Sequence, residues 1–415
     1  MRLLELGYEL PNNWREATIS DVTSKVGSGA TPRGGSSVYT NNGIPLVRSQ
    51  NVLDNSFSNA GLAFLSDQSA SSLKNVELRA NDVLLNITGD SILRCCLLPD
   101  VMIGGRVNQH VAIIRASDAV IPLYLQKWLV QDWFKDFMLS HSAGATRKAI
   151  TKGQILSFPI ALPPLPEQRR IAGVLGALDD KIESNLRTIS LSESLILAHF
   201  SSLFNSGHVS AGTALSDLMD VNPRYSLKRE SLAIKVSMQD IPSDFPVINT
   251  HAVMPVGAGS RFSNGDVLFA RISPCLENGK TAIVDFLSSS EVGFGSTEFI
   301  VLSPRGEIST TWIYALARDP NFRETCRQAM SGSSGRQRLS ADFFTRYTIA
   351  TPKESNLVAF NEATMPLLTF MGARRDENQR LAPLRDALLP ELMSGRMRVD
   401  EAGQLVSEAL DEEVC

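Results

Sequence analysis

The sequence predicts an α+β protein made of two similar halves, each a small globular unit of mixed sheet and helices followed by a long helix. Three observations support this fold class. An apolar stripe marks a helix of about forty residues in the middle of the chain. A second long helical pattern lies near the C-terminus, and the segments before the two helices match each other at nearly constant offsets.

The central helical pattern begins after three closely spaced prolines. Pro163, Pro164 and Pro166 hold the chain extended, and Glu167 suits the positive end of a helix. The apolar residues that follow are spaced by three, four or seven positions, which predicts a helix of roughly 55–60 Å. They are Ile171, Leu175, Leu178, Ile182, Ile189, Ile196, Phe200 and Leu203.

The second helical pattern starts near Pro352 and ends in an apolar series, Leu381, Leu384, Leu388 and Leu392. Three prolines lie inside it, and each removes a backbone donor. We therefore expect a broken or bent second helix at Pro366, Pro383 and Pro390. Polar residues interrupt both apolar stripes and argue against strict heptad packing: Asn185, Ser192 and Asn378.

The two halves align along most of their length. An offset of 189 residues places Ile171 on Phe360 and Leu178 on Leu367, and SAGATRKAITKGQI (142–155) on SGSSGRQRLSADFF (331–344). At an offset of 184, NDVLLNIT (81–88) matches GDVLFARI (265–272). The chain is thus predicted to be a tandem duplication. Its long helices can pair antiparallel about a pseudo-twofold axis, as a coiled-coil-like spacer.

The segments at the two helices also carry a family resemblance. LPPLPEQRRIAGVLGALDDKIE (162–183) resembles the central conserved region of specificity subunits of type I restriction–modification systems. LRDALLPELMSGRMRV (384–399) resembles their C-terminal conserved region, and GSGATPRGG (27–35) with YTNNGIPLVRSQNV (39–52) is similar to their first target-recognition domain. The resemblance covers residues 10–399.

The resemblance implies five segments: a first target-recognition domain at 1–162, a central conserved long helix at 163–205, a second target-recognition domain at 206–351, a C-terminal conserved helix at 352–399 and an acidic tail at 400–415. It implies a non-catalytic subunit, each domain of which reads one half of a bipartite asymmetric DNA site. Two modification subunits would dock on the helices, bring S-adenosylmethionine and methylate adenine N6. Restriction subunits would add ATP- and magnesium-dependent cleavage, and this chain would bind no cofactor.

Composition is that of an ordinary globular protein with a net charge of −4. The last sixteen residues hold six acids and no base, and removing those six charges leaves +2 for residues 1–399. We expect that tail to be solvated and disordered, and DNA binding to depend on local basic patches. No apolar run approaches the ~18 residues of a membrane span. The cysteines form no CxxC pair, so we expect a cytoplasmic protein without disulfides or zinc.

Candidate DNA contacts are the side chains that suit base edges in the major groove. In the first unit they are Arg33, Arg48, Gln50, Asn51, Arg94, Asn108, Gln109 and His110; in the second they are Arg224, Tyr225, Arg271, Glu277, Asn278, Lys280, Thr297 and Glu298. Basic clusters that recur in both halves are predicted to contact phosphates: Arg147, Lys148 and Lys152, with Arg336, Gln337 and Arg338. Residues predicted to pack the helices or dock partners are Ile171, Leu175, Leu178, Ile182, Phe200, Phe360, Leu367, Leu381, Leu384, Leu388 and Leu392.

Two other classes of protein stay open. A self-contained methyltransferase or nuclease would need cryptic motifs, because Asn222-Pro223-Arg224-Tyr225 and Asp319-Pro320-Asn321-Phe322 lack the second proline of an amino-methyltransferase motif. A nuclease needs clustered carboxylates to bind its metal, and we find no such spacing. The other alternative is a coiled-coil scaffold with no role at DNA.

Overall fold

A computed structural model describes residues 3–142, 148–228, 230–243, 245–249, 251–333 and 335–411. The chain divides into two compact units. The first comprises Met1–Glu183 and Arg380–Cys415, and the second comprises Ser184–Gln379. Both long helices therefore contribute to both units.

The first unit contains three small sheets and four short helices in the part of the chain before the central helix. The strands are β1 (Arg15–Thr18), β2 (Thr23–Ser28), β3 (Tyr39–Thr40), β4 (Ile44–Val47), β5 (Ala63–Leu65), β6 (Asp82–Asn86), β7 (Cys95–Leu97), β8 (Arg106–Val107), β9 (Val111–Ala116) and β10 (Pro159–Leu162). The helices are α1 (Asp67–Ser71), α2 (Pro122–Val130), α3 (Asp132–Ser140) and α4 (Lys152–Ser157). β1 pairs with β10, and the four-stranded sheets have the orders β2-β9-β6-β7 and β3-β5-β4-β8.

The central strands of the sheet β2-β9-β6-β7 are buried on both faces. Successive side chains of a strand point to opposite faces, so β6 divides its apolar residues between two cores. Val83 and Leu85 pack with the α2 and α3 side chains, whereas Leu84 packs with the core of the sheet β3-β5-β4-β8. This double burial fixes the loops at the end of β6, which later carry the candidate site.

The central helix α5 spans Leu165–Leu203, which is 39 residues, as the spacing predicted. Ile171, Leu175 and Leu178 lie in the core of the first unit. Farther along the helix, Ile189 and Phe200 lie in the main core of the second unit. The apolar stripe is thus a packing surface along the whole helix.

The second unit repeats the architecture of the first. Its strands are β11 (Thr213–Ala214), β12 (Asp220–Val221), β13 (Leu232–Val236), β14 (Ala252–Pro255), β15 (Arg261–Ser263), β16 (Val267–Ala270), β17 (Thr281–Ile283), β18 (Val292–Gly295), β19 (Phe299–Ser303) and β20 (Thr348–Ile349). Its short helices are α6 (Leu215–Leu218), α7 (Thr310–Arg318), α8 (Pro320–Gln328) and α9 (Phe343–Arg346). The sheets are β11-β20, β12-β19-β16-β17 and β14-β13-β18-β15. The orders β2-β9-β6-β7 and β12-β19-β16-β17 match, and β5-β4-β8 corresponds to β14-β13-β18, although the fourth strand joins opposite edges of these two sheets. The shared strand orders support the predicted tandem duplication.

The second long helix differs from the prediction. Helix α10 runs without interruption over Glu354–Ser394, 41 residues, through all three prolines. Pro366 and Pro383 lie on the exposed side of the helix and Pro390 is half-buried. Because helices in proteins are stabilised mainly by tertiary packing of their apolar face, solvent-side prolines do not end this one. The expectation of a break is therefore wrong, whereas a bend at these prolines stays a prediction.

The acidic C-terminal segment also differs from the prediction. Val399–Asp411 forms helix α11, where a disordered tail was expected. Ala402 is fully buried, and Val406 and Leu410 pack against the first unit's core. Asp400, Glu401 and Glu408 are exposed, so the high charge of the segment masks an apolar face with helical spacing.

Within each unit, the segments of α5 and α10 pack side by side. In the second unit, Asn356 Nδ2 donates to the Leu203 carbonyl at 3.3 Å, and Asn185 Nδ2 donates to Asn378 Oδ1 at 2.8 Å. Residue numbers rise along one helix as they fall along the other, so these segments are antiparallel. Asn185 is buried and also donates to Glu377 Oε2 at 2.8 Å. Hydrogen bonds therefore satisfy the side-chain nitrogen of this polar residue, which interrupts the apolar stripe of α5.

Candidate nucleic-acid interface

An open cleft of about 1000 Å³ lies in the first unit and brings together several predicted DNA contacts. Its walls are the turn after β4, the loop between β6 and β7, the loop before β9 and residues 148–149, shortly before α4. The predicted residues that line it are Gln50, Arg94, His110 and Lys148. They come from four separate places in the sequence, so the fold is what makes them neighbours.

A buried asparagine at the end of β6 ties the cleft walls together. Asn86 is fully buried, and its Nδ2 donates to the Ser49 carbonyl at 2.8 Å and to Ser91 Oγ at 3.1 Å. These bonds join the turn after β4 to the loop between β6 and β7. The prediction overlooked Asn86; the signal for it was a polar residue that ends an otherwise apolar strand.

The imidazole of His110 is held against a second wall. Its Nδ1 lies 2.7 Å from Thr88 Oγ1, and its Nε2 lies 3.3 Å from the Gln109 side-chain nitrogen. Thr88 in turn forms a backbone bridge with Ala149, which places Lys148 at the rim. Hydrogen bonds therefore hold the loops that carry the cleft side chains, and these loops form a frame that gives the side chains defined positions.

The cleft offers polar groups that no protein atom uses. Among the described residues, Arg94 and Lys148 are exposed and make no side-chain hydrogen bond or ion pair. Gln50 Nε2 donates to the Ala60 carbonyl at 3.2 Å, which leaves its side-chain oxygen open. Two free cations and an amide are suited to phosphates and base edges, while Asp90 adds one carboxylate.

Two other predicted residues in this unit belong to the frame. The Asn51 side chain is buried, donates to the Ser58 and Ala60 carbonyls at 2.8 and 3.1 Å, and accepts from the Arg48 amide at 3.0 Å. Asn108 is 8% exposed and its Oδ1 accepts from the His110 amide at 3.1 Å. The structure thus places Asn51 and Asn108 among loop-forming residues, with their amides already engaged.

The remaining predicted residues of the first unit lie outside the cleft lining. Arg48 donates to the Gly61 carbonyl and lies over the Tyr39 ring at 5.7 Å. Arg33 and Lys152 are exposed. Arg147 lies outside the described residues.

The second unit brings together Arg271, Glu298 and Arg338. Arg338 binds the Glu298 carboxylate with two parallel hydrogen bonds, Nε to Oε2 at 2.9 Å and Nη2 to Oε1 at 2.7 Å. Arg271 Nε lies 3.8 Å from Glu298 Oε2. The hydrogen bonds from Arg338 lower the pKa of Glu298, so the carboxylate stays ionised and fixed in orientation at neutral pH.

This cluster occupies the repeat-equivalent position of the first unit's cleft. The backbone bridge Thr88–Ala149 corresponds to the bridge Ile272–Arg338, at the offsets of 184 and 189 residues seen in the sequence. The same loops therefore meet in both units, although their side chains differ.

The other candidates of the second unit are dispersed. Lys280 Nζ donates to the Met238 carbonyl at 2.6 Å, and Tyr225 Oη donates to Asp266 Oδ1 at 3.1 Å. Glu277 accepts from Ser273 Oγ at 2.8 Å. The residues that are exposed or half-buried without such a contact are Arg224, Asn278, Thr297, Arg336 and Gln337.

The two near-matches to methyltransferase motifs have structural roles. Asn222 Oδ1 accepts from the Val301 amide at 3.0 Å. Asp319 caps helix α8 by accepting from the amides of Asn321 and Phe322. Within the described ranges, no three His, Cys, Asp or Glu side chains group so as to hold a metal ion. The helices of the described residues include none long and apolar enough to cross a membrane.

The predicted helix residues lie in the cores of their own units. Most are buried: Ile171, Leu175, Leu178, Phe200, Phe360, Leu381, Leu388 and Leu392. Three are partly buried against the same cores: Ile182, Leu367 and Leu384. Their side chains are engaged in helix packing.

Comparison with known proteins gives a consistent result. Residues 11–190 match the family model for the type I restriction modification DNA specificity domain. The EcoEI specificity subunit of Escherichia coli is 29% identical over 144 residues, which cover 33% of this chain and 24% of that protein. The chain thus matches about a quarter of the length of that relative.

Two further comparisons extend over nearly the whole chain. The HindI specificity subunit of Haemophilus influenzae is 20% identical and aligns with 93% of this chain and 100% of that protein. The crystal structure of the type I restriction-modification system S subunit from M. genitalium superposes with a TM-score of 0.58 at 15% identity, covering 92% of this chain and 97% of that one. Residues 11–190 thus match the specificity-domain family, and along most of its length the chain is similar to a type I restriction–modification specificity subunit.

Proposed function

We propose that this chain is the DNA specificity subunit of a type I restriction–modification complex and is itself non-catalytic. Residues 1–162 and 206–351 would be two recognition domains, and each would read one half of a bipartite asymmetric site. The remaining segments, 163–205 and 352–399, would be the conserved helices that carry the partners.

The observation that carries the proposal is the cleft of the first unit. Gln50, Arg94, His110 and Lys148 converge there on a rigid frame with free polar groups. In this interpretation, Lys148 contacts phosphate, while Gln50 and Arg94 address base edges, for which adenine and guanine are the usual partners of an amide and a guanidinium.

The second unit supports a different half-site. Glu298 is ionised and held in place by Arg338, and a carboxylate has more acceptor positions than these bonds use. It can therefore accept a hydrogen bond from the amino group of cytosine. Because the counterpart of Glu298 at the offset of 189 is Gln109, the two units would not recognise the same bases.

The proposed assembly adds the chemistry that this chain lacks. Two copies of a modification subunit would dock on the conserved helices and supply S-adenosylmethionine for methylation of adenine N6. Restriction subunits would supply ATP- and magnesium-dependent cleavage. The complex would act on double-stranded DNA in the cytoplasm.

Transfer of labelled methyl groups tests the division of labour. The purified chain, a modification subunit encoded beside it and their mixture are each incubated with S-adenosylmethionine and unmethylated plasmid DNA. We expect incorporation into adenine only with the mixture. Incorporation by this chain alone would reveal a cryptic methyltransferase, and no incorporation by a stable complex would favour a scaffold without a role at DNA.

A further inference from the structure

Helix α8 of the second unit carries a half-buried arginine, Arg323, whose two terminal nitrogens are buried without a hydrogen-bond partner among the described residues. Neither Nη1 nor Nη2 of Arg323 makes a hydrogen bond, and both are covered by protein atoms. The guanidinium lies beside Gly279, where a side-chain carbon added to the glycine would fall 3.9 Å from Arg323 Cζ and 3.1 Å from Arg318 Nη1. Buried cationic nitrogens without a hydrogen-bond partner, next to a second cation, are unfavourable, so this position requires an explanation.

In the first unit, the cation at the corresponding helix position is paired with a carboxylate of the same unit. Lys135 is the fourth residue of α3, as Arg323 is the fourth residue of α8. Its Nζ lies 2.7 Å from Asp54 Oδ2. A cation at this helix position is therefore common to both units, and in the first unit an internal anion accompanies it.

Among the described residues of the second unit, no carboxylate stands at the position equivalent to Asp54. The turn after β4 and the turn after β13 are equivalent at the offset of 189, because the Arg48 amide donates to Asn51 Oδ1 and the Ser237 amide donates to Asp240 Oδ2. The same offset places Ser243 where the first unit has Asp54. A serine hydroxyl cannot balance the charge of Arg323.

A cavity of about 430 Å³ lies at this position, and its lining includes Ser243, Gly279, three arginines (Arg318, Arg323 and Arg327) and two acids (Glu277 and Glu324). The two arginines beside Arg323 in this cavity each have a carboxylate partner.

Arg327 binds Glu324 with two hydrogen bonds, at 2.8 and 2.6 Å. Arg318 Nε lies 3.3 Å from Glu193 Oε1. Glu277 accepts from Ser273 Oγ at 2.8 Å and acts on Arg323 through its charge, without a hydrogen bond to either Nη atom. Among the described residues of this pocket, Arg323 is thus the arginine whose terminal nitrogens no carboxylate or other acceptor engages.

We propose that this cavity binds a phosphate-type oxyanion, which takes the place that the Asp54 carboxylate has in the first unit. A rotation of the Arg323 side chain turns its planar fork into the cavity, where two parallel hydrogen bonds can hold one anion. The phosphate belongs either to the DNA backbone or to free inorganic phosphate. The first of these sources rests on the proposed function.

Thermal unfolding of the full chain, without DNA or partners, tests the site itself. Tm is measured in about 10 mM phosphate and in chloride of equal ionic strength; a millimolar site predicts a rise of about 3 °C in phosphate. Arg323→Gln should abolish the difference. Ser243→Asp, which installs the first unit's carboxylate, should raise Tm in chloride and also abolish the phosphate effect. Lys135→Gln is the matched control and should keep it.

DNA binding by the assembled complex then identifies the source. If the phosphate belongs to DNA, Arg323→Gln lowers the dependence of log affinity on log salt by about one. An unchanged slope together with the phosphate effect on Tm assigns the site to free phosphate. The proposal is overturned if phosphate raises the Tm of wild type and Arg323→Gln equally, or of neither. Because the thermal experiment contains no DNA, its outcome does not depend on the proposed function.

Discussion

A buried ion cluster in the first unit provides a quantitative test of how the globular part of this unit is held to the long helices. Lys127 on α2 is 1% exposed, and its ammonium binds Asp179 on α5 and Asn55 Oδ1 at 2.8 Å. Arg385 on α10 lies 3.2 Å from the same carboxylate. Replacing Asp179 by Asn leaves a buried ammonium without a counter-charge.

Breaking a buried ion pair from one side costs about 3–5 kcal/mol. The lower value applies here, because the Asn55 oxygen still accepts from Lys127 and the new amide oxygen can do the same. We expect Asp179→Asn to lower the free energy of unfolding of the first unit by about 3 kcal/mol and its Tm by about 9 °C. Asp180→Asn, one residue along the same helix but exposed, is the control and should have little effect.

The pH dependence should distinguish this mechanism from a general loss of packing. Burial lowers the pKa of Lys127 below its usual value of 10.5, and Asp179 opposes that shift. Between the folded and unfolded pKa values the unfolded chain binds more protons, so stability rises with pH in that window. Without Asp179 the folded pKa falls further, and the deficit of the variant should shrink as pH rises towards 10.5.

Urea unfolding followed by tryptophan fluorescence is the assay, since Trp14, Trp128 and Trp133 all lie in the first unit. The reasoning is refuted if Asp179→Asn and Asp180→Asn lose equal stability, or if the deficit of Asp179→Asn is independent of pH.

Three further predictions concern DNA and the C-terminal helix. Lys148→Ala should weaken binding of the assembled complex to all duplexes alike and reduce the salt slope by about 0.9. Anisotropy titrations at several salt concentrations measure this, and a loss confined to cognate duplexes would contradict a phosphate contact. Gln50→Ala should cost about 1–3 kcal/mol of discrimination at one position, seen by methylome sequencing as relaxation in one half-site; relaxation in both halves would be inconsistent with it. Truncation after Arg398 should lower the stability of the first unit by about 2 kcal/mol, because buried Ala402 and its apolar neighbours are lost. An unchanged urea midpoint would contradict that packing role.

Features that depend on local spacing could be predicted from the sequence. The period of the apolar stripe gave helix α5 to within a few residues, and the offsets of 184 and 189 reappear as equivalent backbone bridges. Helical and strand periods are properties of short segments. Their detection does not require knowledge of which segments meet in the fold.

Features that depend on tertiary contacts could not be predicted from the sequence. Gln50 and Asn51 are adjacent and chemically alike, yet the first lines the cleft and the second is buried with its amide engaged. The continuity of α10 depends on which face its prolines occupy. Helix α11 is ordered because its apolar face packs against the core of the first unit, and the charge count of the tail does not reveal that surface.

The most direct test of the central claim is long-read detection of N6-methyladenine. A methylation-free bacterium would express this chain with its modification subunit, and each protein alone. We expect one bipartite, asymmetric motif that appears only with both genes, and variants of the first unit's cleft should alter only one of its halves. A continuous or symmetric motif, or cleft variants that alter both halves, would contradict the assignment of one half-site to each unit.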